Sequence, residues 1–531
     1  MFRLLIIIFL CNALVLFAQS PLEIWDMSYL TDASSLNVDT VWASDTVFSG
    51  FHFRVAEIRY NSVGDPGEVI RIQAFVAAID GENLPGIVVG HGNGGEGSLM
   101  VALSTAMVFQ GIALSISGPG CGESEGQSSE ISNWARTYPD PRTSWIYQYA
   151  CSAIRGVTYL TTLSQVNRDF LCVTGASAGG IMAWLVNGVD SRIRLALPIM
   201  ATGDWLTAYE ESTWLRYYIG DSIPSYDPRV QNMINYLDPI QYAETQHGLV
   251  FLVTGAQDEF FPLRCVRNHY NRLNPLRSRL LVLANWDHAT YYGADPRYSG
   301  RYDAFNNSAV VGRKMLQAEL AVFMAAKLAG IVPPIPQVSA ISMGNSITFD
   351  AIVSPGLQDS VFLWTSTDSG WTFQSHPMSS GFWGRFTYTF TPPPGIGLNN
   401  LIYFVECFGT GFVLTSVPYL PEDLPLRIRP PVEETFVQER EISLEDRLVE
   451  IEIYPNPSPG ATQFLLPPSI QRAGFKIEIY DILGRRVFSG ANSTYWNGVD
   501  SFGSRVSRGL YFARVKTENG RVASGRFLIL R

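Results

Sequence analysis

Ser177 stands in Gly175-Ala176-Ser177-Ala178-Gly179, where the apolar run Leu171 to Thr174 gives way to a helical pattern. A strand that reverses this sharply into a helix needs small residues two before and two after its apex, and Gly175 and Gly179 meet that need. Such a turn lifts the serine oxygen clear of the sheet and aims a helix N-terminus at it. A serine hydroxyl becomes a nucleophile only when a base can take its proton and an acid orients the base. Of six histidines, only His288, in Ala284-Asn285-Trp286-Asp287-His288-Ala289, follows a late strand-like segment. His52 falls in the opening strands, His91 before the elbow, His247 and His269 in helical or connecting segments, and His376 in a later β-rich region. Asp258 ends Val253-Thr254-Gly255-Ala256-Gln257-Asp258, just past the strand before that of His288. Asp204 and Asp287 are the rival acids. The predicted row is Ser177, His288 and Asp258.

Attack by such a serine places negative charge on a carbonyl oxygen, and each well-placed donor is worth about 3 to 4 kcal/mol. One donor is the backbone N–H of Ala178. A second is expected from the loop His91-Gly92-Asn93-Gly94-Gly95, with Asn93 the leading candidate and His91 shaping the loop. This chemistry calls for no metal and no cofactor. The segment Ala201 to Gly248 is rich in Trp and Tyr, including Trp205, Tyr209, Trp214, Tyr217, Tyr218, Tyr226 and Tyr236. It reads either as a lid, with Trp205 and Trp214 against the substrate, or as helices packing aromatic faces on the core.

The elements that must hold these residues alternate. Val47 to Asp80 carries two alternating runs parted by Asp65-Pro66-Gly67, an antiparallel pair of opening strands. From Gly86 onward, short apolar runs at Gly86–Gly90, Gly111–Ser117, Leu171–Thr174, Leu195–Met200, Leu249–Thr254 and Arg279–Ala284 are separated by helical stretches, notably Leu99–Gln110, Trp145–Leu163 and Val311–Ala329. That pattern predicts a mostly parallel sheet with helices on both faces, spanning residues 19–332 with 201–248 as an insertion. The carboxyl ends of such strands are where the sheet presents its chemistry.

At 531 residues the chain is too long for one core. A net charge of −10, with only 16% charged residues, gives no reason to bind nucleic acid or an anionic membrane. Residues 1–18, Met1-Phe2-Arg3 followed by apolar runs broken at Cys11-Asn12, read as a secretory signal peptide too short for a permanent anchor. No later segment is long and apolar enough to span a bilayer. Beyond Cys11 there remain Cys121, Cys151, Cys172, Cys265 and Cys407, whose spacings fit neither a disulfide framework nor a zinc site, although export permits a bridge or two.

Residues 333–428 are short alternating segments parted by Gly, Pro and Asn, such as SITFDAIV and NLIYFVECF, the signature of a β-sandwich of immunoglobulin or fibronectin type. Residues 429–449 form an acidic linker. Residues 450–531 are a second small β-domain containing Tyr454-Pro455-Asn456-Pro457, KIEIYDILGRRV at Lys476 to Val487, Trp496-Asn497-Gly498-Val499-Asp500 and Gly509-Leu510-Tyr511-Phe512. This block resembles the C-terminal sorting domain of type IX secretion cargo, and more distantly the immunoglobulin-like domain of flagellar hook-capping proteins. The resemblance implies a partner in the secretion machinery and a final location outside a two-membrane bacterium, secreted or on its surface.

The chain order Ser177, Asp258, His288 is that of the α/β-hydrolases. With the loop His91-Gly92-Asn93-Gly94-Gly95 and the run Ser117-Gly118-Pro119-Gly120-Cys121-Gly122-Glu123-Ser124-Glu125-Gly126, it is similar to the acetyl xylan esterase, cephalosporin deacetylase and dienelactone hydrolase group over about Val47 to Gly330. Where the deacetylases carry a glutamine after the serine this chain has Ala178, and Ala289 rather than an acid follows His288. The expected fold is therefore an α/β-hydrolase followed by two small all-β sandwich domains. The expected function is an exported serine hydrolase of carboxylic esters, with a small ester or an acylated glycan as substrate. Two readings compete with it: a serine peptidase of the same fold, and a catalytically silent surface binding protein.

Overall fold

In the computed structural model, residues 20–211, 223–288, 304–329, 335–353, 358–409 and 412–428 are described, together with 449–529 apart from short stretches at 451, 457, 459, 467–474, 482–485, 492, 501–502, 508 and 518–521. The expected signal peptide, Trp214, Tyr217, Tyr218 and nearly all of the acidic linker lie outside them. By its contacts the chain divides into two compact units, residues 1–431 and 432–531.

The first unit is built on nine strands: β1 (Asp39–Phe48), β2 (Phe51–Val63), β3 (Val69–Ile79), β4 (Leu84–Gly90), β5 (Ile112–Ile116), β6 (Val166–Ala176), β7 (Ile193–Ile199), β8 (Leu249–Gly255) and β9 (Ser278–Leu283). They lie in the order β1-β2-β3-β5-β4-β6-β7-β8-β9. The opening strands pair antiparallel and β3 meets β5 antiparallel. From β5 across to β9 every pairing is parallel. This is the large mixed sheet of an α/β-hydrolase, with β1 a strand beyond the predicted opening pair.

Continuous apolar runs become strands buried on both faces, because helices cover each side. Ile87, Val88, Cys172, Val173, Leu252 and Val253 are almost wholly buried. The covering helices are α1 (Leu99–Phe109), α2 (Trp145–Thr162), α3 (Ala178–Val189), α4 (Leu263–Tyr270) and α5 (Ala304–Ala329). Helix α2 is buried almost all round, and its Tyr147 and Thr158 hydroxyls donate to the carbonyls of Ile24 and Leu30 in the segment after Ser20. Among the described residues its Arg155 has no carboxylate ion-pair partner and donates to the carbonyls of Tyr29, Asp32 and Asn61.

The predicted middle sandwich consists of two four-stranded sheets. One joins β10 (Gln337–Met343), β11 (Ser346–Ile352), β14 (Ser379–Ser380) and β15 (Arg385–Phe390); the other joins β12 (Gln358–Ser366), β13 (Gln374–Pro377), β16 (Ile402–Gly409) and β17 (Phe412–Thr415). It shares an apolar core with the body: Phe373, Ile402 and Phe404 pack in one cluster with Val250, Leu280 and Val282. Strand β9 ends the large sheet, and an open edge is a template for unwanted pairing. Thr415 of β17 covers it, its hydroxyl accepting from the Val282 N–H (3.0 Å) and donating to the Leu280 carbonyl (3.2 Å).

The second unit contains β18 (Val449–Glu450), β19 (Glu452–Tyr454), β20 (Thr462–Leu465), β21 (Phe475–Asp481), β22 (Arg486–Ala491), β23 (Tyr495–Trp496), β24 (Gly509–Thr517) and β25 (Val522–Ile529), which form a five-stranded sheet, β18-β25-β24-β21-β22, and a three-stranded sheet, β19-β20-β23. Ile477, Ile479, Trp496, Tyr511, Val515 and Phe527 fill its core. Ile477 and Ile479 are inward members of the alternating run at Lys476 to Val487, two residues apart as a strand requires.

Candidate active site

Ser177 occupies the turn between β6 and α3 at φ 55°, ψ −116°, strained for a residue bearing a side chain. Its N–H donates to the Ile199 carbonyl at 2.9 Å, anchoring the turn to β7. A Cβ on Gly175 would lie 2.7 Å from the Gly90 oxygen, and one on Gly179 2.5 Å from the same oxygen. Both glycines are therefore required by close backbone approach. Ala176 is exposed and Ser177 half-buried, so the hydroxyl stands at the surface above the sheet.

The loop after β9 brings His288 to the serine. His288 Nε2 lies 2.9 Å from Ser177 Oγ. On the other side of the ring, Nδ1 faces Asp258 Oδ2 at 2.9 Å and Oδ1 at 3.1 Å. Asp258 is 1% exposed, and its Oδ1 also accepts the N–H groups of Phe260 and Phe261 at 2.9 Å each. The three residues named from sequence thus form one hydrogen-bonded row at the carboxyl ends of β6, β8 and β9. Of the rival acids, Asp204 accepts from Asn268 instead, and Asp287 is buried beside His288 while Asp258 takes the ring nitrogen.

Burial works to lower the His288 pKa, but the charge and hydrogen bond of Asp258, joined by the charges of Glu259 and Asp287, outweigh it and the net shift is upward. Glu259 is a participant that sequence reasoning missed. It is 2% exposed, its carboxylate accepts the His288 backbone N–H at 3.1 Å, and burial, then the neighbouring Asp258 charge, raises its pKa. Its position next to Asp258 was the one available signal. The Phe260 ring packs on the His288 ring with centroids 4.4 Å apart.

The glycine-rich loop after β4 runs past the nucleophile: a Cβ on Gly92 would sit 3.6 Å from Ser177 Cβ. Asn93 makes no hydrogen bond among the described residues, and its Oδ1 is buried and unpartnered. Ala178 is the first residue of α3, where the backbone N–H has no partner within the helix. His91 stands behind the loop. Its Nε2 accepts the Gly118 N–H at 2.8 Å, so Nδ1 carries the proton toward the Gly92 carbonyl at 2.7 Å. Burial pushes its pKa down to about 4, which keeps this neutral tautomer. The Tyr149 hydroxyl accepts the His91 N–H at 2.6 Å and faces its carbonyl at 3.2 Å. Together they tie the His91–Gly95 loop to the Ser117–Gly126 loop.

The expectation that Trp205 contacts substrate is corrected. It is 0% exposed, and its indole N–H donates to the Thr202 carbonyl at 3.0 Å. The chain returning through Asp238, whose carboxylate accepts the N–H groups of Asp204 and Trp205, folds the ring into the body. Tyr209 is buried as well. These aromatics of the insertion serve packing, while Trp214 lies outside the described residues. Cys121, Cys151, Cys172, Cys265 and Cys407 are all buried free thiols. Among the described residues no group of His, Cys, Asp and Glu is arranged to hold a metal ion, and no helix is long and apolar enough to cross a membrane.

Residues 148–299, from α2 through the elbow to beyond His288, match the prolyl oligopeptidase family. Residues 452–529 match the secretion system C-terminal sorting domain. The chain carries an α/β-hydrolase domain and a secretion sorting tail. The sorting tail marks it for type IX export to the cell surface or the extracellular space. Among solved structures the chain is similar to the acetyl xylan esterase from Paenibacillus sp. R4, at 20% identity over 56% of this chain and 93% of that one, with a TM-score of 0.45. Acetyl xylan esterase 1 from Thermoanaerobacterium sp. JW/SL YS485 matches at 17% identity over 57% and 94%, with a TM-score of 0.44. The Pyrococcus horikoshii acylaminoacyl peptidase matches at 16% identity over 49% and 47%, with a TM-score of 0.35. No curated protein matches the chain in sequence. The hydrolase domain thus has esterase and peptidase neighbours.

Proposed function

We propose that the protein is an exported serine hydrolase that cleaves carboxylic esters through an acyl-enzyme on Ser177. The observation that carries this reading is the row Ser177 Oγ, His288 Nε2 and Asp258, with its 2.9 Å contacts. As Oγ bonds to the acyl carbon, His288 Nε2 takes the hydroxyl proton, and Asp258 stays ionised to hold the resulting imidazolium. The carbonyl oxygen becomes an oxyanion, and we assign its donors to the N–H groups of Ala178 and Asn93. His288 then gives its proton to the departing alcohol. Water attacks the acyl-enzyme with the same histidine as base, releasing the acid and restoring Ser177. An alkoxide leaves with less acid assistance than an amine, so this row supports an ester bond first. The family match over residues 148–299 favours a peptide bond as second reading. We take residues 1–18 as the export signal removed on the way out.

Initial rates on p-nitrophenyl acetate and on peptide p-nitroanilides, for the parent protein and Ser177→Ala, test the proposal. Ester turnover is expected in the parent and lost in the folded variant. Undiminished ester turnover in Ser177→Ala would sink the nucleophile. Peptide cleavage as efficient as ester cleavage would establish the second reading.

A further inference from the structure

The middle sandwich reaches the loops that bear Asp258 and His288. Asn285, three residues before His288, adopts a left-handed backbone at φ 54°. Its side-chain Oδ1 accepts the Phe373 N–H and its Nδ2 donates to the Phe373 carbonyl, both at 2.9 Å. One amide side chain thereby makes the pair of bonds that a neighbouring strand would make. Gln257, the residue before Asp258, closes the arrangement. Its Oε1 accepts the Trp286 N–H at 3.1 Å, and its Nε2 donates to Asn285 Oδ1 at 3.2 Å and to the Trp371 carbonyl at 3.4 Å. Its backbone N–H donates to the Trp286 carbonyl at 3.0 Å.

The sandwich hairpin on the far side is itself stiff. Asp368 accepts the Thr372 N–H at 2.9 Å, the Thr372 hydroxyl at 2.6 Å and the Ser366 hydroxyl at 2.8 Å. Phe373 is 4% exposed and packs in one apolar cluster with Ala256 and Leu263 of the body. Ser369, Gly370 and Trp371 line one small cleft together with Gln257 and Asp258.

We infer that Asn285 and Gln257 are positioning residues, which clamp the Asp258 and His288 loops to each other and to the Asp368–Phe373 hairpin, so that the sandwich forms part of the frame of the active site. The inference rests on the hydrolase reading for the word active; the clamp itself is a matter of where His288 stands. The row works only if its contacts are held to a fraction of an ångström, and side chains locked by surrounding hydrogen bonds supply that precision. The sandwich in this arrangement is more than a binding module appended to a finished enzyme. A purely structural contact would contribute stability and leave the titration of His288 where it is.

The test uses the full chain and Asn285→Gly, since glycine adopts the left-handed backbone freely while both bonds to Phe373 are lost. Two readouts are followed: the pH titration of the His288 ring by NMR, and the rate at which a fluorophosphonate labels Ser177. Thr415→Val serves as control, because it cuts another tie between sandwich and body, at the edge of β9 instead of at the loops themselves. The clamp predicts a lower His288 pKa in Asn285→Gly, as the Asp258 bond loosens, and labelling slowed about tenfold or more. Thr415→Val should lower the melting temperature and move neither. Should Asn285→Gly fail to fold, Gln257→Ala, which keeps the Asn285 to Phe373 pair, carries the same expectation. An unchanged titration and labelling rate would overturn the inference, and so would equal changes in Thr415→Val. Absence of labelling in the parent protein would overturn the hydrolase reading instead, while the His288 titration still decides the clamp.

Discussion

Gly179 packs on Gly90 so closely that a Cβ at position 179 would lie 2.5 Å from the Gly90 carbonyl oxygen. The elbow helix and strand β4 meet backbone to backbone there, and that contact sets the height of Ser177 above the sheet. Because the obstacle is a carbonyl in a central strand, it cannot yield as a flexible side chain would. Gly179→Ala is expected to destabilise the protein by about 1–3 kcal/mol, measured by denaturant unfolding, and to cut ester turnover at least tenfold. A variant with parent-like stability and rate would show that the helix can slide away without cost.

Asp258→Asn preserves shape but replaces one oxygen with an N–H donor that disfavours the His288 tautomer with hydrogen on Nδ1. Turnover should fall about 10³- to 10⁴-fold, the magnitude known for the equivalent change in other triads. The unfolding midpoint checks that the variant is folded. A rate within tenfold of the parent would remove Asp258 from the row.

His288 must be neutral to accept the Ser177 proton, and its folded pKa is raised above the ordinary 6.5. The sign follows directly: protonation inactivates, so kcat/KM should fall as pH drops through a value above 6.5. The charge of Glu259 is one cause of the upward shift, so Glu259→Gln should move this acidic limb to lower pH. A parent limb at or below 6.5, read from a pH–rate profile, contradicts the assignment.

Helix α5 is tied to the sandwich by Lys314, whose Nζ donates to both oxygens of Glu406 at 2.8 and 3.0 Å. Glu406 is 2% exposed and also accepts the Trp364 indole N–H at 2.9 Å. Lys314→Met leaves that carboxylate buried without its cation. A loss of about 2–4 kcal/mol is expected, lessened because Lys314 is partly solvated. Lys314→Met combined with Glu406→Leu should recover part of it, which a double-mutant cycle by chemical denaturation would measure. Full additivity of the two losses would show the pair to be uncoupled.

Tyr149→Phe deletes the hydroxyl that both accepts the His91 N–H and faces its carbonyl. With the loop beside Ser177 less firmly held, kcat should fall about tenfold while KM changes little, and stability should drop by about 1–2 kcal/mol. Steady-state kinetics separate the two. A rise in KM alone would mean that the loop serves binding rather than the oxyanion.

Local physics made much of the hydrolase domain legible. Apolar runs bounded by glycine at β4, β6 and β8 can bury both faces only between helices, and Gly175 and Gly179 bracket Ser177 as a tight strand-to-helix reversal demands. Asp258 and His288 were found the same way, as chemistry-bearing residues just past the last two strands. Motifs of the terminal β-domain likewise identified the sorting tail. What those signals share is short range: each is carried by residues within a dozen positions.

The sequence by itself thus determined the order of strands and helices, the reversal at Ser177 and the residues able to join it in a row. Only the tertiary structure decided which of them meet. His288 and Ser177 are 111 positions apart, Asn285 and Phe373 are 88 apart, and Lys314 and Glu406 are 92 apart. Trp205 could be read as a substrate contact or as core packing because composition cannot tell an aromatic facing solvent from a wholly buried one. Burial and long-range hydrogen bonds depend on which surfaces a compact chain brings together, and a periodicity of two or 3.6 residues carries no record of that choice.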